Sequence, residues 1–482
     1  MNANRKTETG SVRAVLVLIG VASLLRLALA AAMGLGIDES YMAAAGRHWA
    51  WGYFDHPPLA WWLSHGMAQL AGSEAAFVLR LPFIGLFAVS TWLMFRLAEA
   101  LFGARAGVWA ALALTVSPVF GVTSATWVLP DGPLDCALLG AALALVRALE
   151  RGQWRWWLAA GVAAGLALLA KYSAALILAG AVGYFLTQPL HRSWLRRPQP
   201  YVAAALALAV FAPVLLWNAQ NGWASFAFQG ARAGAERFNP AGPLTVLGGE
   251  AAFVLPWIWA GLMIALGRAL RTGPQNWRGW LLACLGIGPV VLFAVIGLWS
   301  RHVLFHWAAP GYLMLFPLLG RELQRWHARW PRAIRRAAMG TAALLVVALA
   351  GLAAELRWNV WPLHPDPAVQ ALDWTGLPEA LAARGIAPGS AVAATGWQEA
   401  GKIGYALGKD WPVLCLNRDA RQFGPATLRD TTAILALRPI TAAWLAEQGF
   451  AVTVLNEQAP LDVPLAGGRT LHLLVYTART GG

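Results

Sequence analysis

Apolar runs separated by short polar gaps fill roughly the first 358 positions of the chain, and each run is long enough to cross the hydrocarbon of a bilayer. They lie near 14–35, 76–98, 105–123, 131–149, 154–170, 172–188, 201–219, 245–267, 279–299, 303–320 and 337–357, which predicts eleven transmembrane helices. Beyond about residue 358 the pattern changes. Helical periodicity over 366–384 and 441–448 alternates with strand-like runs at 391–395, 451–455 and 471–476, and this predicts a small α/β domain. The expected fold is a polytopic α-helical membrane protein, with a membrane part over 1–358, a polar loop at 36–75 and a C-terminal domain over 359–482.

Composition agrees. With 58% hydrophobic and 12% charged residues, the chain is too apolar for a soluble protein of this length. The net charge of +14 does not point to nucleic acid, because Lys and Arg gather in alternate gaps between the apolar runs. Arg5, Lys6 and Arg13, Arg96 with Arg105, and the stretches 147–155, 192–197, 268–278 and 321–336 fall on one side if eleven helices cross. The positive-inside rule makes that side cytoplasmic. The expected outer side then receives 36–75, Asp131, Lys171, 220–244, Arg301 and the C-terminal domain. Residues 154–188 test this reading, since both flanks are Arg-rich and an even number of crossings must join them. The run is therefore expected to be a helical hairpin with Lys171 at its outer turn; at the bilayer centre that lysine would cost about 3 kcal/mol or more.

Cys136, Cys284 and Cys415 lie far apart and offer no metal-ligand spacing or disulfide framework, so packing roles are expected. The first apolar run lacks a small-residue cleavage site and is expected to remain as a helix.

Candidate chemistry collects on the expected outer face. Asp38 and Glu39 follow the first run and precede Tyr53-Phe54-Asp55-His56-Pro57-Pro58-Leu59. A partly desolvated carboxylate there can act as general base, orient a nucleophile or bind a cation; the plainer alternative is a helix cap. Asp131, in Pro130-Asp131-Gly132-Pro133-Leu134, suits an N-cap that also presents a carboxylate oxygen. Lys171 is one of only four lysines, and it is either a snorkelling rim residue or a point charge for a phosphate. His302 and His306 have the spacing of a metal pair on a helix, but no acid or cysteine accompanies them, and Arg301 beside them better suits an anion clamp. The stretch from Trp217-Asn218 through Asn221-Gly222-Trp223 to Arg232 and Arg237 adds amides and cations to an aromatic belt.

These motifs, in this order relative to the apolar runs, resemble the bacterial glycosyltransferase family 39 proteins, related to protein O-mannosyltransferases and to the aminoarabinose transferase of lipid A. The resemblance covers about residues 10–320. It implies a GT-C fold, a polyprenyl-phosphate-linked sugar as donor, inversion at the anomeric carbon and an active site at the outer membrane face. By position, Asp38 matches the catalytic acid, Glu39 its paired neighbour and Asp131 the second acid. Lys171 matches the residue near the donor phosphate, with Arg301 and Arg237 as further cations. Asp55, His56, Tyr53, Asn221 and His306 are expected to line the substrate.

The expected activity is inverting transfer of a hexosyl or pentosyl unit to a lipid, glycan or protein acceptor at the outer face of a bacterial inner membrane, as in envelope glycan or lipopolysaccharide modification. No metal site and no cofactor is assigned, and a divalent cation on the acids stays open. Expected partners are the lipid-linked donor, the acceptor and membrane lipids. The alternative is a flippase or transporter of a lipid-linked sugar, though transporters often show paired halves with helices interrupted at the midplane.

Overall fold

The computed structural model describes residues 2–232, 234, 237–361, 363, 366–417, 421–423, 428 and 432–480. These form two compact units interleaved in sequence. The first comprises Met1–Leu27, Ala50–Ala60 and Leu81–Val346; the second comprises Ala28–Trp49, Trp61–Arg80 and Val347–Gly482.

Each predicted apolar run contains helix. In chain order the α-helices before residue 360 are α1 (Asn2–Ala32), α2 (Ile37–Gly46), α3 (Leu59–Ala71), α4 (Ala76–Phe102) and α5 (Ala104–Val116). Next come α6 (Asp131–Arg151), α7 (Trp154–Ala170), α8 (Ala174–Thr187), α9 (Pro198–Gln220) and α10 (Ala224–Ala231). The series closes with α11 (Gly242–Val254), α12 (Pro256–Thr272), α13 (Trp277–Ile296), α14 (Ala309–Arg329) and α15 (Pro331–Trp358). Among the described residues six helices (α1, α4, α6, α9, α13 and α15) are long and apolar enough to cross a membrane, and a bent pair would make a seventh. Helices α5, α7 and α8 are apolar but shorter.

Three predicted spans need correction. The run at 105–123 is broken: α5 ends at Val116, Ser117 is extended (φ −81°, ψ 121°), and a π-helical turn follows over Val119–Ser124. The run at 245–267 is not one helix: α11 and α12 are bent by 113° at Leu255, whose φ is 85°. Pro256 explains the break, because proline has no N–H to continue the helical ladder and pushes the preceding residue out of helical geometry. The run placed at 303–320 begins as turns, and helix starts only at Ala309 and continues to Arg329.

The predicted hairpin is present. Helix α7 ends at Ala170, Lys171 is extended (φ −157°, ψ 138°), and α8 returns far enough to bring Phe185 within 6.1 Å of Trp157 between ring centroids. Gly152, at φ 67°, ends α6 in the left-handed conformation that glycine adopts without penalty, so α7 can fold back along it. Helices α7 and α9 pack through small residues. A Cβ at Gly161 would fall 2.5 Å from the Ala203 carbonyl oxygen, a contact only glycine permits.

In the second unit, residues 392–480 build a five-stranded sheet from β1 (Val392–Ala394), β2 (Val413–Cys415), β3 (Ala433–Ala436), β4 (Val452–Pro464) and β5 (Thr470–Thr480), in the order β2-β1-β3-β5-β4. Strands β2, β1 and β3 are parallel, whereas β5 is antiparallel to both β3 and β4. Helices α16 (Leu377–Ala382), α17 (Trp397–Leu407) and α18 (Ala442–Glu447) accompany it. Ile434, Leu445 and Tyr476 sit in its buried core.

Candidate functional site

In the first unit, four of the expected residues converge. Asp131 is the first helical residue of α6, buried at 8% exposure, and it makes no capping bond; instead its Oδ1 accepts from Lys171 Nζ at 2.9 Å. Helices α6 and α7 run side by side, so the start of one and the end of the other meet at one level. His306 and His56 lie within electrostatic range of Asp131. His306 also feels Lys171 and Arg232, and burial with these cations pushes its imidazole down to about 4, so the ring is neutral at pH 7. His56 Nδ1 is 3.1 Å from Asp55 Oδ2. Asp55 is buried, and its backbone carbonyl accepts a bond from Gln229 of α10.

The remaining expected residues of this unit hold less central places. Tyr53 is buried and donates its backbone N–H to the His56 carbonyl at 3.1 Å, which fixes the turn that carries the histidine. Asn221 turns its amide onto the Trp217 carbonyl of its own helix at 2.8 Å. Arg301 and Arg237 are exposed in loops. His302 and His306 both precede α14, so the helical i, i+4 geometry considered for a metal does not arise.

In the second unit the acidic pair divides. Asp38 is exposed in the first turn of α2. Glu39 is 3% exposed and fully engaged: Arg80 Nε donates to Oε1 at 2.8 Å and Arg80 Nη2 to Oε2 at 2.6 Å, while the Gly36 N–H donates to Oε2 at 2.9 Å. The last bond is half of a capping box, since a glutamate at the third helical position satisfies the backbone N–H before the helix. Arg80 also donates to the carbonyls of Met33 and Gly34, so the loop between α1 and α2 is tied to α4.

The family model for dolichyl-phosphate-mannose-protein mannosyltransferases matches residues 55–217. The crystal structure of ArnT from Cupriavidus metallidurans bound to undecaprenyl phosphate shares the fold at TM-score 0.65 and 19% identity, covering 96% of this chain and 97% of that one. The apo form of the same protein matches at TM-score 0.64 and 18% identity, with the same coverage. A lipid A galacturonosyltransferase, RgtD of Rhizobium johnstonii, is 25% identical over 311 residues.

The chain shares the fold of ArnT.

The match to RgtD takes in 60% of this chain and 61% of RgtD, so it spans less than two thirds of that protein. The family match contains Asp55, His56, Asp131 and Lys171, while Asp38 and Glu39 precede it and Asn221, Arg237, Arg301 and His306 follow it.

Sequence reasoning missed three groups. Arg80 hides in an apolar run, where a lone arginine is itself a signal, since burial in hydrocarbon demands a partner. Asp135 lies one turn beyond Asp131, is 2% exposed, and its Oδ2 has no partner among the described residues. Glu250 in α11 accepts from Tyr312 Oη at 2.5 Å, and Tyr312 accepts from Trp259 Nε1 at 2.8 Å.

Proposed function

We propose that this chain is a GT-C inverting glycosyltransferase. It moves a sugar from a polyprenyl-phosphate-linked donor to a lipid, glycan or protein acceptor at the outer face of a bacterial inner membrane. The observation that carries the reading is the Asp131–Lys171 pair with His56 and His306 around it in a chain of ArnT-like fold.

In this reaction the acceptor hydroxyl or amine attacks the anomeric carbon and its proton goes to Asp38. The bond from that carbon to the phosphate oxygen breaks, and polyprenyl phosphate leaves. Lys171, with Arg301 and Arg237, offsets the charge growing on the leaving phosphate. Asp131 holds Lys171 in place. Glu39, with both oxygens committed, sets the geometry of α2 and is a positioning residue. His56, His306, Asp55, Tyr53 and Asn221 shape the donor side, and neutral His306 there serves as a hydrogen-bonding group. The eleven crossings, the outward orientation and the division into a membrane part over 1–358 and an outer domain over 359–482 belong to the same proposal. So does the nature of the acceptor, for which RgtD, a lipid A galacturonosyltransferase, makes a lipid A-type glycolipid the first candidate.

The test compares envelope lipids and glycans by mass spectrometry with and without the gene, then repeats transfer with purified protein and undecaprenyl-phosphate sugars. A mass difference of one sugar, abolished by Asp38→Asn, is expected. A flippase reading draws on the broken α11/α12 pair, because interrupted helices carrying a buried acid such as Glu250 recur in transporters. Transport of labelled donor across proteoliposomes without any transfer would favour it.

A further inference from the structure

The three parallel strands of the second unit send their carboxyl ends to one edge of the sheet. The segments that follow them, Thr395-Gly396 after β1, Asn417 after β2 and Leu437 to Pro439 after β3, line a single cavity of about 520 Å³. In open α/β sheets this edge is where ligands bind, because the loops diverge there and helix N-termini face the opening. The volume lies within the range of small-molecule sites.

Its chemistry is specific. Glu399 accepts from the backbone N–H of Thr395 at 3.2 Å and from the Thr395 hydroxyl, both through Oε2, and Oε1 has no partner among the described residues. Gln370 and Gln398 bring exposed amides, and Trp444 a half-buried ring. Two cations border the cavity. Arg438 is exposed beside it, while Lys402 is buried and donates to the Leu35 carbonyl at 2.6 Å and the Leu372 carbonyl at 2.7 Å. A lining of one free carboxylate oxygen, amides, an indole face and cations suits a hydroxyl-rich ring with an anionic substituent. An alkyl chain would leave these groups unpaired.

The cavity also reaches Ile37, the residue immediately before Asp38 and in the same unit. We infer that this cavity of the C-terminal sheet is the acceptor-recognition site and takes a saccharide bearing a phosphate or carboxylate. Hydroxyls meet Glu399 and the amides, the ring lies on Trp444, and the anionic group meets Arg438. This inference rests on the proposed transferase reading for the word acceptor, but the binding site does not.

The experiment uses the full chain in nanodiscs with glucosamine 1-phosphate and galacturonate as probes, glucose as the neutral control, and saturation-transfer NMR as readout. Binding of undecaprenyl phosphate is measured in parallel. Arg438→Ala is expected to weaken both anionic probes about tenfold or more, the loss of one charge-assisted hydrogen bond, and Glu399→Gln to weaken all three. Undecaprenyl phosphate binding and the thermal midpoint should stay unchanged in both variants, since Arg438 is exposed and a glutamine at 399 keeps an oxygen to accept from Thr395. Equal probe binding in parent and variants overturns the inference, even if transfer activity is confirmed. Probe binding that Arg438→Ala removes, in a protein that transfers no sugar, upholds the site and overturns the transferase reading instead.

Discussion

Lys171 Nζ lies 2.9 Å from Asp131 Oδ1, with both side chains 12% exposed. A rim lysine in water would contribute almost nothing to stability, but a largely buried pair behaves differently. Removing one partner strands the other charge, at a cost of about 3–5 kcal/mol, whereas removing both costs less. Lys171→Ala should therefore lower both the thermal midpoint and undecaprenyl phosphate affinity. The double change Lys171→Ala with Asp131→Ala should recover much of the midpoint but none of the affinity. Affinity restored together with stability would remove Lys171 from the phosphate site.

Glu39 and Arg80 form a buried two-pronged pair, so Glu39→Gln is expected to act through folding. The predicted signature is a drop in unfolding midpoint and yield, with turnover per folded molecule falling less than in Asp38→Asn. Thermal melts beside turnover measurements separate the two. A Glu39→Gln protein with parental stability and no turnover would make Glu39 the base.

Asp38 is exposed in the first turn of α2, and Asp38→Asn keeps its shape, so the variant should still fold, insert and bind the donor. Loss of a general base typically lowers the rate by ~100- to 10,000-fold. Turnover within a few-fold of the parent, measured with saturating donor, would defeat the assignment.

Lys402 carries a pH signature. Burial pushes its ammonium down to about 8 from an ordinary 10.5, with nearby Asp373 and Glu39 opposing the shift. Between those two values the unfolded chain binds more protons than the folded one, so stability contributed at this site rises with pH across that window. From pH 7 to pH 9 the unfolding midpoint of the parent should shift upward relative to that of Lys402→Met. Parallel shifts in the two proteins would show that Lys402 does not titrate there.

Topology can be read by thiol labelling on either side of α9. Trp194 is buried, which makes Arg192 the better inner probe, and exposed Asn221 serves for the outer face. After subtraction of the parent's labelling, an impermeant reagent should reach Asn221→Cys and miss Arg192→Cys. The opposite pattern would invert the proposed orientation.

The apolar runs determined where helices form, and they did so without help from the rest of the chain, because hydrocarbon-length segments satisfy their backbone internally. The hairpin at Lys171 was legible for another reason: both flanks of the run are Arg-rich, so an even number of crossings must join them. The break at Leu255 had a signal in Pro256, but a proline inside an apolar helix usually bends rather than stops it, as α4, α9 and α13 keep theirs. Strands β2 and β3 are three or four residues long, too short for periodicity to distinguish them from loop. What only the tertiary structure decided was pairing. Asp38 and Glu39 are neighbours in sequence with the same chemistry, yet Glu39 is spent on Arg80, 41 residues away, and Asp38 remains exposed. Likewise Asp131 looked like a helix cap until Lys171, 40 residues on, took its oxygen. Composition and spacing fix which charges must be buried, but the partner that makes burial tolerable is chosen by helix packing, which no local pattern encodes.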